Sequence, residues 1–189
     1  MAGETQKTTA LTNRDTGTLR DNRLAAGRVR VGIDAHQFTA ATELEAGDNL
    51  IMDIPIPSNA IVLDIAHHND DMDTNGSPTL VVDIGVAARD DYTSTTGGTD
   101  TKHTKDDVID ADLFVDGATG FQAATTGYTS LATDAGTLGP DDRLKPVWEL
   151  LGYDEDPKTT FNVVVQSQAA AASLGAAADC AIKVEYLVD

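Results

Sequence analysis

The sequence predicts an all-β protein, a single antiparallel β-sandwich with an extended N-terminal arm and one short helix. Three observations carry that reading. Residues 44–86 hold three runs rich in β-branched side chains, at 49–54, 60–66 and 79–86. Turn-forming stretches separate them: AGD, PIPSN and the Asp-rich NDDMDTNGSP. Within the runs the side chains alternate with the two-residue period of a sheet. Ile61, Leu63 and Ile65 oppose Val62 and Asp64, and Leu80, Val82 and Ile84 oppose Val81, Asp83 and Val86.

In chain order, residues 1–27 are rich in Thr, Asn and Gly and show no sustained period. They read as an arm too poor in apolar groups to fold alone. Up to Arg30 the chain has six basic residues (Lys7, Arg14, Arg20, Arg23, Arg28 and Arg30) against three acidic ones, Glu4, Asp15 and Asp21. A basic arm on an acidic body points to docking on an acidic partner surface, and these six residues are the candidate partner-binding set. From Arg28 the body begins, and 28–189 reads as one domain. Residues 28–39 form a first strand, with Val29, Val31, Ile33 and Ala35 on one face and Arg28, Arg30, Gly32 and Asp34 on the other. Further strands are expected near 48–54, 60–67, 78–87, 160–168 and 179–188.

Residues 88–140 are dominated by Thr and Gly and read as an irregular insertion facing outward or a sister subunit. Within it, 106–115 is a short helix or strand, and 117–131 can supply another strand. The helix is expected near 142–151, where Leu144, Val147, Trp148 and Leu151 fall at i, i+3, i+4 and i+7. Asp141 or Asp142 can cap it and Gly152 can stop it. Trp148 reads as packing against the sandwich, or, if exposed, as a sugar platform.

Composition narrows the function classes. The chain of 189 residues carries 31 acidic and 13 basic side chains, a net charge of −18. Such an excess of carboxylates opposes nucleic-acid binding, which needs Lys and Arg to neutralise phosphates. The acids are mostly Asp, a pattern of high-salt organisms, where screening removes self-repulsion; alternatively the charge keeps an exposed assembly soluble. No apolar run reaches the roughly 18 residues that span a membrane, and the N-terminus lacks a secretory pattern. The single cysteine, Cys180, lies in an apolar strand context and reads as a core residue.

No catalytic or cofactor motif stands out. The four histidines, His36, His67, His68 and His103, are not spaced as zinc ligands. Asp71, Asp73 and Asn75 match the front half of a calcium loop, D-x-D-x-N-G, but the closing position falls on Val82 instead of Glu. A tight turn between strands accounts for the same residues.

The segments LEAGDNLIMDIPIPSNAIVLDI, the D-D-x-D turn, PTLVVDIGV, WELLGYDEDP and FNVVVQSQAAAASLGAAADCAIKVEYLVD resemble small structural proteins of tailed double-stranded DNA viruses. These are head decoration, cement or minor capsid proteins. The resemblance covers roughly 44–86 and 145–189, with its recurring motifs at 57–62, 80–85 and 174–186. It implies a jelly-roll-like fold, a homo-trimer, no enzymatic activity, and a place on the outer capsid surface bound to the major capsid protein at three-fold positions. Synthesis would be in the host cytoplasm, and with the acidic composition the host would be a haloarchaeon or another halophile. A second class stays open, a carbohydrate- or cell-surface-binding sandwich in a virion spike, turret or fibre base. A hydrolase on an unusual β scaffold is the third.

Overall fold

The computed structural model describes residues 28–38, 45–131, 138–139, 141–174 and 177–188. Among these residues ten strands follow one another: β1 (Arg28–Gln37), β2 (Asn49–Pro57), β3 (Ile61–Asn69), β4 (Val81–Ala88), β5 (Tyr92–Thr96), β6 (Thr99–His103), β7 (Val108–Ala118), β8 (Thr129–Ser130), β9 (Thr160–Ala169) and β10 (Asp179–Val188). Eight of them form two four-stranded antiparallel sheets, ordered β1-β10-β3-β8 and β2-β9-β4-β7, while β5 and β6 make a separate hairpin. Successive strands from β1 to β4, and again from β7 to β10, change sheet at each step. Eight strands wound in this way across two sheets are a jelly roll.

The two inner faces supply the core. Met52, Ile54 and Ile56 of β2, Val82, Ile84 and Val86 of β4, and Phe161, Val163 and Val165 of β9 line one side. Val62 and Ile65 of β3 and Cys180, Ile182, Val184 and Tyr186 of β10 line the other. Of the alternation read from the sequence, Leu80, Val82 and Ile84 do share the buried face, but Val86 joins them there instead of opposing them. In β3 the core takes Val62 and Ile65 while Leu63 is 43% exposed, because the β3–β10 register slips between Val62 and Asp64.

Three further elements depart from expectation. The 88–140 stretch is far more regular than an irregular insertion: it contains the β5–β6 hairpin and an eleven-residue strand, β7, paired along β4. Asp110, Asp112, Asp116 and Gly117 break its apolar alternation, and three register shifts against β4 absorb the mismatch. At one of them the backbones come unusually close, because a Cβ on Gly85 would meet the Asp110 carbonyl oxygen and lie 2.7 Å from the Ala111 carbonyl carbon.

The expected helix is a single turn, α1 (Val147–Leu150), preceded by a 3-10 turn at Asp142–Leu144. Pro146 divides them. It has no N–H to donate, and it holds Lys145 extended, with ψ of 142°. The turn is seated by backbone bonds from Val147 N–H to Ala60 O and from Trp148 N–H to Ser58 O, at 2.9 and 3.0 Å. Leu144, assigned to the apolar face, is 59% exposed.

The third departure is the orientation of β1. Its apolar side faces outward, leaving Val29, Val31 and Ile33 more than half exposed, at 58, 55 and 56%. The inward side is Gly32, where a Cβ would stand 2.5 Å from Ile54 Cγ2, and Asp34, whose Oδ2 accepts the Asp53 N–H at 2.8 Å. There is no room above β2 for a row of valines.

Candidate partner-binding surface and the Asp-rich turn

The Asp-rich turn between β3 and β4 is built around Asp73, which is 1% exposed. Its Oδ2 accepts the backbone N–H groups of Thr79, Leu80 and Ala172 at 2.7, 3.1 and 3.0 Å, and its Oδ1 accepts Ser173 N–H at 3.0 Å. Burial alone would raise its pKa; the four donors outweigh that and hold the carboxyl at about 2. Asp71 Oδ1 accepts Asp73 N–H, and Asn75 Oδ1 accepts Ser77 N–H. Each of the three calcium-candidate side chains is thus turned to a backbone amide. Among the described residues no three His, Cys, Asp or Glu side chains converge as a metal site.

Next to this turn, His67 is buried beneath Phe121, with ring centroids 4.5 Å apart. Its Nδ1 lies 2.6 Å from Asn69 Oδ1, and the Asn69 amide donates to the carbonyls of Asp70, Phe121 and Ala123. This network pins the 121–125 loop against β3. Cys180 is likewise buried, and burial pushes its thiol up to about 12, far from a reactive thiolate.

The aromatic residues of 88–140 are largely spent inside the molecule. Phe114 and Phe121 are buried. Tyr92 stacks on His103 at 4.6 Å, and its hydroxyl lies 2.8 Å from that of Tyr153. His103 Nε2 in turn lies 2.9 Å from Ser94 Oγ, a cross-strand pair whose serine is only 4% exposed. Tyr128 is 42% exposed, with its ring against His68 and beneath Lys183 Nζ at 5.5 Å. Trp148 is half-buried. Tyr128 is thus the one exposed aromatic ring among the described residues of 88–140.

Of the six basic residues assigned to partner binding, Lys7, Arg14, Arg20 and Arg23 lie outside the described residues. Arg28 and Arg30 are exposed at the start of β1, beside the outward valines. The two arginines and the apolar stripe thus share one edge strand, interleaved in sequence and carried on opposite faces of it.

The fold has solved counterparts. One is a chain in the cyanophage Pam1 capsid asymmetric unit, with a TM-score of 0.53, 20% identity, and 86% of each chain covered. Another belongs to the capsid of Ralstonia phage GP4, with a TM-score of 0.56, 21% identity, and 87% of this chain and 86% of that one covered. Both are chains of phage capsids. At this identity the likeness is one of fold. No family model matches the chain, and no curated protein matches its sequence.

Proposed function

We propose that this chain is a virion structural protein that decorates the outer surface of a tailed-virus capsid and cements neighbouring major capsid subunits. The observation that carries the reading is a jelly roll shared, over more than four fifths of both partners, with chains from two phage capsids. The burial of Phe114 and Phe121, which leaves Tyr128 as the one exposed ring among the described residues of 88–140, supports shell binding over a spike or fibre base. A rigid sandwich that binds only the assembled lattice stabilises the shell by mass action. In this reading the body sits as a homo-trimer at three-fold positions. Residues 1–27 reach across a subunit seam, with Lys7, Arg14, Arg20 and Arg23 pairing carboxylates there and Arg28 and Arg30 extending the same basic track. Exposed ion pairs contribute only about 0–1 kcal/mol each, so the arm depends on several acting together. The Asp-rich surface suits a host that lives in high salt.

Co-sedimentation with purified shells of the source virus tests this. Intact protein is expected to saturate the shells at a fixed stoichiometry, and protein lacking residues 1–27 to remain folded but bind more weakly. Shells that sediment without the intact protein would sink the proposal; equal binding by the truncated form would remove the arm from it.

A further inference from the structure

The two sheets have four edge strands, and three of them discourage pairing with another chain. β2 contains Pro55 and Pro57 and loses register between Met52 and Ile56. β7 shifts register repeatedly and carries Asp110, Asp112 and Asp116. β8 is two residues long. Prolines, bulges, charges and shortness are the means by which proteins blunt an open edge. β1 has ten residues, no proline and an unbroken register of ten pairs with β10.

The phase of that ladder decides what the open side offers. Phe38 N–H donates to Ala178 O at 2.9 Å, continuing the β1–β10 pairing by one step. In an antiparallel ladder every second residue exchanges bonds with a given neighbour. Even-numbered residues of β1 therefore bond to β10, and Val29, Val31 and Ile33 turn their N–H and C=O groups to the opposite side, where no strand among the described residues pairs with them. These are the same residues whose side chains stand more than half exposed. The free run ends at Ala35, whose N–H is already held by Asp34 Oδ1 at 2.9 Å.

We propose that β1 pairs antiparallel with β1 of a second copy of this chain, about a two-fold axis through Val31. In that register Val29 faces Ile33 of the other copy and Val31 faces its own counterpart, so the free backbone groups and the apolar stripe are satisfied together. On the other face Arg28 comes opposite Asp34, a complementary pair repeated on both sides of the axis. Residues 28–34 hold two cations and one anion, so two bodies of net charge −18 meet at one of their least acidic stretches. An edge pairing this short buries less than the roughly 1,600 Å² of a standard interface, so it is weak alone and gains strength when copies are held in an array. The contact goes beyond the decoration role and does not require it. A two-fold contact can also link one trimer to the next.

Disulfide trapping reads the register directly. Opposed residues of a hydrogen-bonded antiparallel pair have Cα atoms about 5.5 Å apart, inside the range of about 4.4–6.8 Å that a disulfide spans. Under mild oxidation the Val31→Cys protein is expected to form a covalent dimer at least about tenfold faster than Val29→Cys, whose thiols lie four positions, or roughly 13 Å, apart. An equimolar mixture of Val29→Cys and Ile33→Cys is expected to give mainly the heterodimer. All three positions are more than half exposed, so the variants fold, and the native Cys180 is buried out of reach. Equal rates for Val31→Cys and Val29→Cys would mean random collision. No cross-link at all would mean that another molecule, or none, uses this edge. Either result overturns the proposal, and neither depends on whether the native particle is a trimer or binds a shell.

Discussion

Asp73 and Ala172 are 99 positions apart in the chain, yet the Asp73 carboxylate takes the Ala172 backbone N–H at 3.0 Å. With Ser173, Thr79 and Leu80 as its other donors, this side chain ties the turn after β3 to the small-residue turn after β9. Replacing it with Asn removes the charge and half of the acceptors. The expected cost is about 1–3 kcal/mol for the unsatisfied amides, and Asp73→Ala is expected to cost more. Urea unfolding of the two variants checks the order.

The same carboxyl makes stability sensitive to acid. Its folded pKa of about 2 lies below the ordinary value of 3.8, so its contribution is complete above about pH 4 and is lost as pH falls toward 2. The difference in unfolding free energy between the native protein and Asp73→Asn should shrink across that window. A difference that stays constant from pH 5 to pH 2 would contradict the assignment.

Asp110 behaves in the opposite sense. Burial first, then the hydrogen bond and charge of Asp112, push its carboxyl up to about 6. A raised folded pKa means that stability is highest when the group is protonated and declines as pH rises from about 4 through 6. Asp110→Asn should therefore raise the thermal midpoint at pH 7 and leave it nearly unchanged at pH 4. Scanning calorimetry at the two pH values gives the answer.

Gly85 sits where β4 and β7 come too close for any side chain. A Cβ there meets backbone atoms of Asp110 and Ala111, which cannot swing away as a flexible side chain could. Gly85→Ala is expected to cost at least about 1–3 kcal/mol, in the range of overpacked cores, despite adding a single methyl group. Gly76→Ala, in open space, serves as the neutral control.

The fifth expectation concerns salt. With a net charge of −18, the thermal midpoint should fall as salt is diluted from about 1 M, where screening reaches roughly 3 Å, to about 0.01 M, where it reaches roughly 30 Å. A midpoint that holds level over that range would remove the high-salt reading of the Asp excess.

β4, β9 and β10 were legible as strands because their β-branched residues concentrate where the core lies. β3 was legible as a strand too, but the slip in its ladder at Leu63 turns that residue outward and buries Val62, which residue type alone does not reveal. β7 was not legible, since Asp110, Asp112, Asp116 and Gly117 interrupt its pattern and bulges compensate in three dimensions. The β5–β6 hairpin was hidden because Thr, Ser and Gly have no apolar period. It is held by pairs that only the fold creates, such as Asp154 accepting the N–H groups of Gly97 and Gly98. In β1 the alternation was readable but its direction was not. Either face could have turned inward until the position of Ile54 excluded a side chain at residue 32. Asp73 looked like a turn residue or a calcium ligand because two of its four donors, at 172 and 173, are distant in sequence.

The pairing of Arg28 with Val188 brings the first and last described strands into one ladder, ten rungs long. The chain enters and leaves the sandwich at the same corner. A tug on whatever precedes Arg28 is therefore taken up by the β1–β10 seam before the core feels it. Pulled along the strand axis, all ten rungs share the load and must yield at once; pulled sideways, they open one at a time like a zip. The mechanical strength of an attachment made through the N-terminus is thus set by the angle at which the chain is drawn away.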